Sequence, residues 1–177
     1  MRRFKLSKAF TLMESGPVVL VTTHDGEKAN IMTISWTMVV DFTPVFAMTT
    51  GEWNHSFAAL RKNRECVIAI PTVDMLDKVV GIGTCSGADT DKFARFKLTP
   101  VRGRIVKPPL IKECLANIEC KVIDIIKNTG MGFVEGNWVV YALQVKRISP
   151  VEQGGKSAWG FRYAIYWQAP AMLIATS

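Results

Sequence analysis

Asn54, His55 and Ser56 stand where a strand-like run gives way to a helical one. The first backbone N–H groups of a helix have no intrahelical acceptor, and the helix dipole adds positive potential there. A phosphate fits such a place, with the Asn54, His55 and Ser56 side chains as additional donors. The same tripeptide also reads as a capped helix without a ligand, Asn54 being the cap. Thr49 and Thr50, which end the preceding run, favour the ligand. Hydrolysis does not follow from His55-Ser56. Adjacent side chains at a helix start diverge, whereas a nucleophile and its base must meet, and no Gly-x-Ser-x-Gly elbow is present. Cys85 has no histidine near it in sequence and reads as a small loop residue. The histidines are His24 and His55, and the cysteines Cys66, Cys85, Cys114 and Cys120 form no Cys-x-x-Cys pair, so no metal site is expected. There is no Gly-x-x-x-x-Gly-Lys-Ser/Thr loop, and Gly81-x-Gly83-x-x-x-Gly87 only loosely resembles a dinucleotide fingerprint.

Positioning these groups falls to a series of strand-like runs. Val18 to Thr23 is β-branched and stops at His24-Asp25-Gly26, a hairpin-turn signal. The return run, Asn30 to Met38, puts Ile31, Thr33, Ser35 and Thr37 on one face and Met32, Ile34, Trp36 and Met38 on the other. That alternation predicts one strand between a core and a narrow hydroxyl-rich face suited to a ligand. Val45 to Thr50 is a third run, and Glu65 to Pro71 a fourth, stopped by its proline. Helices are expected from His55 to about Asn63, from Asp74 to about Gly81 and from Asp89 to Phe96, with a small-residue loop over Thr84 to Gly87. Ala116 to Ile126 and Trp138 to Ile148 read as strands joined by a turn at Gly130 to Gly136, and Gly154-Gly155-Lys156 as a flexible loop. Without repeats, linkers or low-complexity blocks, the expectation is a single domain over residues 1–177, a mostly β barrel with short helices.

The whole chain agrees with that frame. Its 177 residues suit one domain, and 49% hydrophobic against 21% charged residues is an ordinary balance for a core. The net charge is +7. However, the basic residues are scattered, as in Arg61, Lys62 and Arg64, with no dense tract interleaved with aromatics. No nucleic-acid partner is expected, and the positive field favours small anionic ligands. No run approaches the roughly 18 apolar residues of a membrane span. Met1 to Lys5 resembles a signal n-region, but Lys8 and Glu14 interrupt before a long apolar run, so a cytoplasmic protein with reduced thiols is expected.

Taken in order, several of these segments resemble the flavin-reductase-like family: Pro17 to Thr23, Asn30 to Trp36, Asp41-Phe42-Thr43-Pro44, Asn54-His55-Ser56-Phe57, Glu65 to Pro71, and Gly81 to Phe93. The likeness runs from about Pro17 to Ile148. It implies an FMN-binding split β-barrel, usually a homodimer with flavin near the subunit interface. Members include NAD(P)H:flavin oxidoreductases, flavoredoxins and reductase components of two-component monooxygenases. Carried over by position, the resemblance implies that Asn30, Met32, Thr33, Ile34, Ser35 and Trp36 line the flavin ring and ribityl chain. Thr49 and Thr50 follow the ribityl–phosphate arm, and Asn54, His55 and Ser56 take the phosphate. Cys85, Ser86 and Gly87 approach the flavin, and Lys92 adds a charge toward the phosphate. The implied activity is NAD(P)H-dependent flavin reduction, with NADH or NADPH as donor and a monooxygenase or electron-transfer protein as a further partner. A flavoredoxin-like carrier and a non-enzymatic FMN-binding module are the alternatives. Flavin carries its own redox chemistry, so no dedicated catalytic residue is expected. The Phe161 to Trp167 segment only loosely resembles the family's closing region.

Overall fold

The computed structural model describes residues 17–41, 45–127 and 138–150. The basic N-terminal segment, Phe42 to Pro44, the Gly130 to Gly136 turn, the Gly154 to Lys156 loop and the Phe161 to Trp167 segment lie outside the described residues. Among the described residues, nine strands and three short helices follow one another as β1 (Val19–His24), β2 (Ala29–Ile34), β3 (Thr37–Asp41), β4 (Val45–Gly51), α1 (Ser56–Asn63), β5 (Glu65–Ile70), α2 (Leu76–Gly83), α3 (Lys92–Arg95), β6 (Pro100–Val101), β7 (Leu110–Ile111), β8 (Ala116–Lys127) and β9 (Trp138–Pro150). A 3-10 turn over Val73–Met75 leads into α2.

The main sheet is antiparallel in the order β2-β1-β5-β8-β9-β4-β3. Its two edge strands, β2 and β3, are consecutive in the chain and separated only by Ser35 and Trp36. The sheet must therefore curl until its edges approach, which makes a split barrel, as the sequence led one to expect. Its hydrogen-bonding seam stays open at Ser35–Trp36. There the Thr37 N–H donates to the Ser35 carbonyl at 3.0 Å and the Thr49 N–H to the Trp36 carbonyl at 2.9 Å.

This break corrects the reading of Asn30 to Met38 as one strand. The face holding Ile31 and Thr33 is also not a ligand face along its length. Ile31 is fully buried among Leu20, Ala69, Val79 and Ile82, beneath α2. The Thr33 hydroxyl donates to the Val79 carbonyl at 2.6 Å. β2 is covered on both sides, which gives a pattern of buried hydroxyl and aliphatic residues rather than core against solvent.

β1 shows the same two-sided burial. Val19 and Val21 point into the barrel with Met32, Met48, Leu60, Ile68, Val122 and Leu143, and Leu20 points out under α2. A strand buried on both faces reads as a continuous apolar run. At the β1–β2 turn, the Asp25 carboxylate accepts from the Glu27 and Lys28 N–H groups, each at 2.7 Å, and Gly26 supplies a φ of +121°. Those two bonds, Lys28 first, hold the Asp25 carboxyl below the usual carboxylate range.

Residues 99–115, where no element was expected beyond a connection, form a tied strap. β6 and β7 pair with each other. Asn117 both donates to and accepts from the Ile111 backbone, and the Thr22 hydroxyl donates to the Pro109 carbonyl at 2.7 Å. Glu119, wholly buried, accepts through Oε2 from the N–H groups of Arg104, Ile105 and Val106 at 3.0, 2.7 and 3.1 Å. Its other oxygen lies 3.7 Å from Arg147 Nε. Three convergent N–H donors satisfy Oε2, whereas Oε1 is buried without a hydrogen-bond partner among the described residues and has the Arg147 guanidinium only at ion-pair distance. Among the described residues, no helix is long and apolar enough to cross a membrane, and no group of His, Cys, Asp and Glu is arranged to hold a metal ion.

Candidate functional site

A cleft of about 440 Å³ opens beside the seam where β2 ends, within the roughly 300–1,000 Å³ of small-molecule sites. Its floor is the end of β2 and the break after it, Met32 to Trp36. One wall is the end of β4 and the turn beyond it: Thr49, Thr50, Trp53, Asn54 and His55. The opposite wall is the end of α2 and the following loop, Ile82 to Gly87, with Lys92 behind it.

Each wall has a local cause. On the α1 side, the Asn54 side-chain oxygen accepts from the Ser56 N–H at 3.3 Å and its carbonyl accepts from the Phe57 N–H at 2.8 Å. Asn54 thereby ends the turn and starts the helix, the capping role its type suggests. His55 already has helical angles and is exposed at the rim. On the α2 side, the Thr84 hydroxyl folds back onto the Gly81 carbonyl and the Ala88 N–H donates to the Ser86 hydroxyl. The loop then presses on β2. A side chain at Gly87 would put its Cβ 2.2 Å from the Asn30 side-chain oxygen, so only glycine permits this approach.

Of the residues named from sequence, Met32, Thr33, Ile34, Ser35, Trp36, Thr49, Thr50, Asn54, His55, Cys85, Ser86, Gly87 and Lys92 all line this cleft. Asn30 and Ser56 are not among its lining residues. Asn30 Nδ2 donates to the Ser56 hydroxyl at 2.8 Å, and Ser56 is almost wholly buried. The pair braces β2 against α1 behind the wall, with Gly87 packed on the same amide. Trp53, Ile82, Gly83 and Thr84 line the cleft without having been named. Trp53 sits in a turn with no periodicity to mark it, and Ile82 reads as an ordinary core residue of α2.

Lys92 sets the electrostatics. It is only 6% exposed, at the start of α3, where the Asp91 side chain accepts from the Ala94 N–H. Its ammonium donates to the Ile82 carbonyl at 2.9 Å. Among the described residues, the ion pairs join Lys121 to Glu65 and Arg147 to Glu119, and no carboxylate pairs with Lys92. Burial pulls its pKa below the ordinary 10.5, while the nearby Cys85 acts in the opposite sense. An ammonium with one carbonyl partner retains further N–H donors, so an anion in the cleft would complete its shell. The other thiols are not part of the site. Cys66 faces Cys120 across β5 and β8 in the core, and that contact together with burial raises its pKa well above the usual range. Burial lifts Cys114 to about 12.

Among the described residues, the antiparallel split barrel thus sets a polar cleft at its seam with the buried Lys92 ammonium beside it. The profile of the flavin reductase like domain matches residues 13–161, and the chain belongs to that family. Its fold is therefore that of flavin-related oxidoreductases.

Among proteins of similar sequence, an uncharacterized protein of Archaeoglobus fulgidus is 38% identical over 98 residues, 55% of each chain. YddH of Escherichia coli is 33% identical over 125 residues, 67% of this chain and 65% of that one. The matched region thus spans between about half and two thirds of these relatives' lengths. Among solved structures, the flavoredoxin of Desulfovibrio vulgaris (Miyazaki F) superposes with a TM-score of 0.69 at 25% identity, covering 77% of this chain and 70% of that one. Nitrilotriacetate monooxygenase component B from Bacillus cereus shares the fold, with a TM-score of 0.71 at 18% identity over 85% of this chain and 79% of that one. So does an FMN-binding protein from Thermus thermophilus, with a TM-score of 0.65 at 17% identity over 76% of this chain and 70% of that one.

Proposed function

We propose that this protein binds FMN in the seam cleft and uses it as an NAD(P)H-dependent flavin reductase, passing electrons to free flavin or to a partner protein. The observation that carries the proposal is the buried Lys92 ammonium lining a cleft of small polar residues. A phosphorylated, uncharged ring system is the cofactor chemistry that matches it: the phosphate meets the cation, and the ring meets Trp36 and the backbone and hydroxyl groups of the β2 end. Flavin supplies the hydride and one-electron chemistry when bound. The chain's own residues bind and orient it. Thr49 and Thr50 flank the ribityl–phosphate arm, Asn54 and His55 offer donors at the α1 start, and Cys85, Ser86 and Gly87 close over the ring. Asn30 and Ser56 hold β2, α1 and the loop after α2 together, and so act by positioning.

Membership of the flavin reductase like family supports this reading. The fold shared with a monooxygenase component B supports a monooxygenase as electron acceptor. The likeness to a flavoredoxin favours a second reading, an electron carrier whose flavin is reduced by a protein. We further propose a cytoplasmic homodimer joined through the β3 edge, where Met38, Val39 and Val40 are all more than half exposed. Steady-state oxidation of NADH and NADPH with free FMN as acceptor separates the readings. Turnover with either nucleotide is expected of a reductase. FMN binding without turnover, but with reduction by a protein donor, identifies the carrier.

A further inference from the structure

Trp53 lines the cleft yet is 59% exposed, and it is set there by a specific device. Its six-membered ring lies against the backbone of Gly51. A Cβ on Gly51 would fall 1.8, 2.1 and 2.5 Å from three of the ring's carbons, so any larger residue at 51 forces the indole to swing away. Gly51 itself has an ordinary strand backbone and sits at the end of β4, two residues before Trp53. The small residue therefore serves the position of the indole and not the path of the chain. A second indole, Trp36, lines the same cleft and is half-buried. The rest of the lining is largely small or hydroxyl-bearing.

We infer that Trp53 is a stacking platform at the mouth of the cleft for a second planar aromatic heterocycle, distinct from the ring held against Trp36. The inference rests on the reading of the cleft as an FMN site. A cleft of about 440 Å³ is of a size for one mononucleotide, so a second ring that exchanges electrons with the first must approach at the mouth. An exposed indole face there gains both apolar burial and ring–ring attraction when a flat heterocycle covers it. Two sources share that chemistry: the bases of a pyridine dinucleotide, and the ring of a free flavin arriving as acceptor. Trp53 then governs the affinity of the second ligand more than that of the first.

The test is calorimetric titration of the FMN-saturated protein with NAD⁺, NADP⁺ or riboflavin, in separate arms. Wild type is compared with Trp53→Ala, Trp53→Phe and Gly51→Ala. At least one arm should bind wild type. Trp53→Ala should weaken that arm roughly three- to tenfold, the worth of an aromatic pair, and FMN by distinctly less. Trp53→Phe should recover most of the loss, because it retains an aromatic face. Gly51→Ala should reproduce the weakening, because it displaces the indole while leaving it in the chain. The dinucleotide arms and the riboflavin arm tell which source uses the platform. The inference is overturned if no second ring binds wild type, if Trp53→Ala leaves every arm unchanged, or if it weakens FMN as much as the second ring. A protein that binds FMN and a second ring but never turns over overturns the reductase reading alone. A protein that takes no FMN overturns both.

Discussion

At the scale of single residues, Lys92 makes the firmest commitment. Its folded pKa lies below its ordinary 10.5 because the ammonium is buried. Between those two values the unfolded chain binds more protons than the folded one, so the stability of the flavin-free protein should rise with pH through that window. Below it, both states are protonated and the full cost of burying the charge persists. A phosphate beside the ammonium stabilises the charged form. FMN affinity should therefore rise through about pH 6, as the phosphate loses its second proton, and fall as Lys92 titrates at higher pH. Lys92→Met should weaken FMN roughly 10- to 100-fold, the value of a charge-assisted hydrogen bond, and leave riboflavin nearly untouched. Flavin fluorescence quenching measures both ligands. Equal loss for the two would remove Lys92 from the phosphate. Within the cleft lining, Thr49, Thr50, Asn54 and His55 are legible from their place at a strand end and a helix start, whereas Cys85, Ser86, Gly87 and Lys92 follow only from the family resemblance. Trp53 was not readable, since its placement depends on the absence of a Cβ at Gly51. Nor was the engagement of Ser56 by Asn30, a pairing across 26 positions.

At the scale of elements, periodicity carried most of the barrel and failed where burial is two-sided or pairing is non-local. Strands β1, β4 and β5 fall within a residue or two of the runs that suggested them. The run from Asn30 to Met38 keeps its alternation through a real break, because turning the chain at Ser35–Trp36 does not disturb the residue pattern. The expected helix over Asp89 to Phe96 shrinks to Lys92–Arg95, since Asp91 caps it from within the expected span. The strap over residues 99–115 left no periodic trace: its order comes from Glu119, Asn117 and Thr22 on distant strands. Glu119→Ala should leave the Val106 N–H buried without a partner and its neighbours poorly served, at a cost of about 3 kcal/mol. Thermal unfolding checks this. FMN affinity should hold, because neither Glu119 nor the strap lines the cleft. A stability change within about 0.5 kcal/mol, typical of plain surface substitutions, would show that the strap is not fastened there.

At the scale of the molecule, the order of weak motifs along the chain was more informative than any one of them, and the curled seven-stranded sheet is what that order required. What composition could not indicate is the apolar β3 edge. Met38, Val39 and Val40 are exposed on a terminal strand of the sheet, an arrangement that invites pairing unless it is covered. Val39→Lys should shift sedimentation equilibrium from dimer toward monomer without unfolding the barrel, and a wild-type monomer at all concentrations would exclude the β3 contact. The claim that joins all three scales is that the cleft holds an FMN which a nicotinamide nucleotide reduces. It is tested most directly by anaerobic titration of the FMN-saturated protein with NADH and with NADPH, following visible flavin absorbance. Stoichiometric bleaching by at least one donor is the expected result. Failure to retain flavin, or a bound flavin that neither donor bleaches, would contradict it.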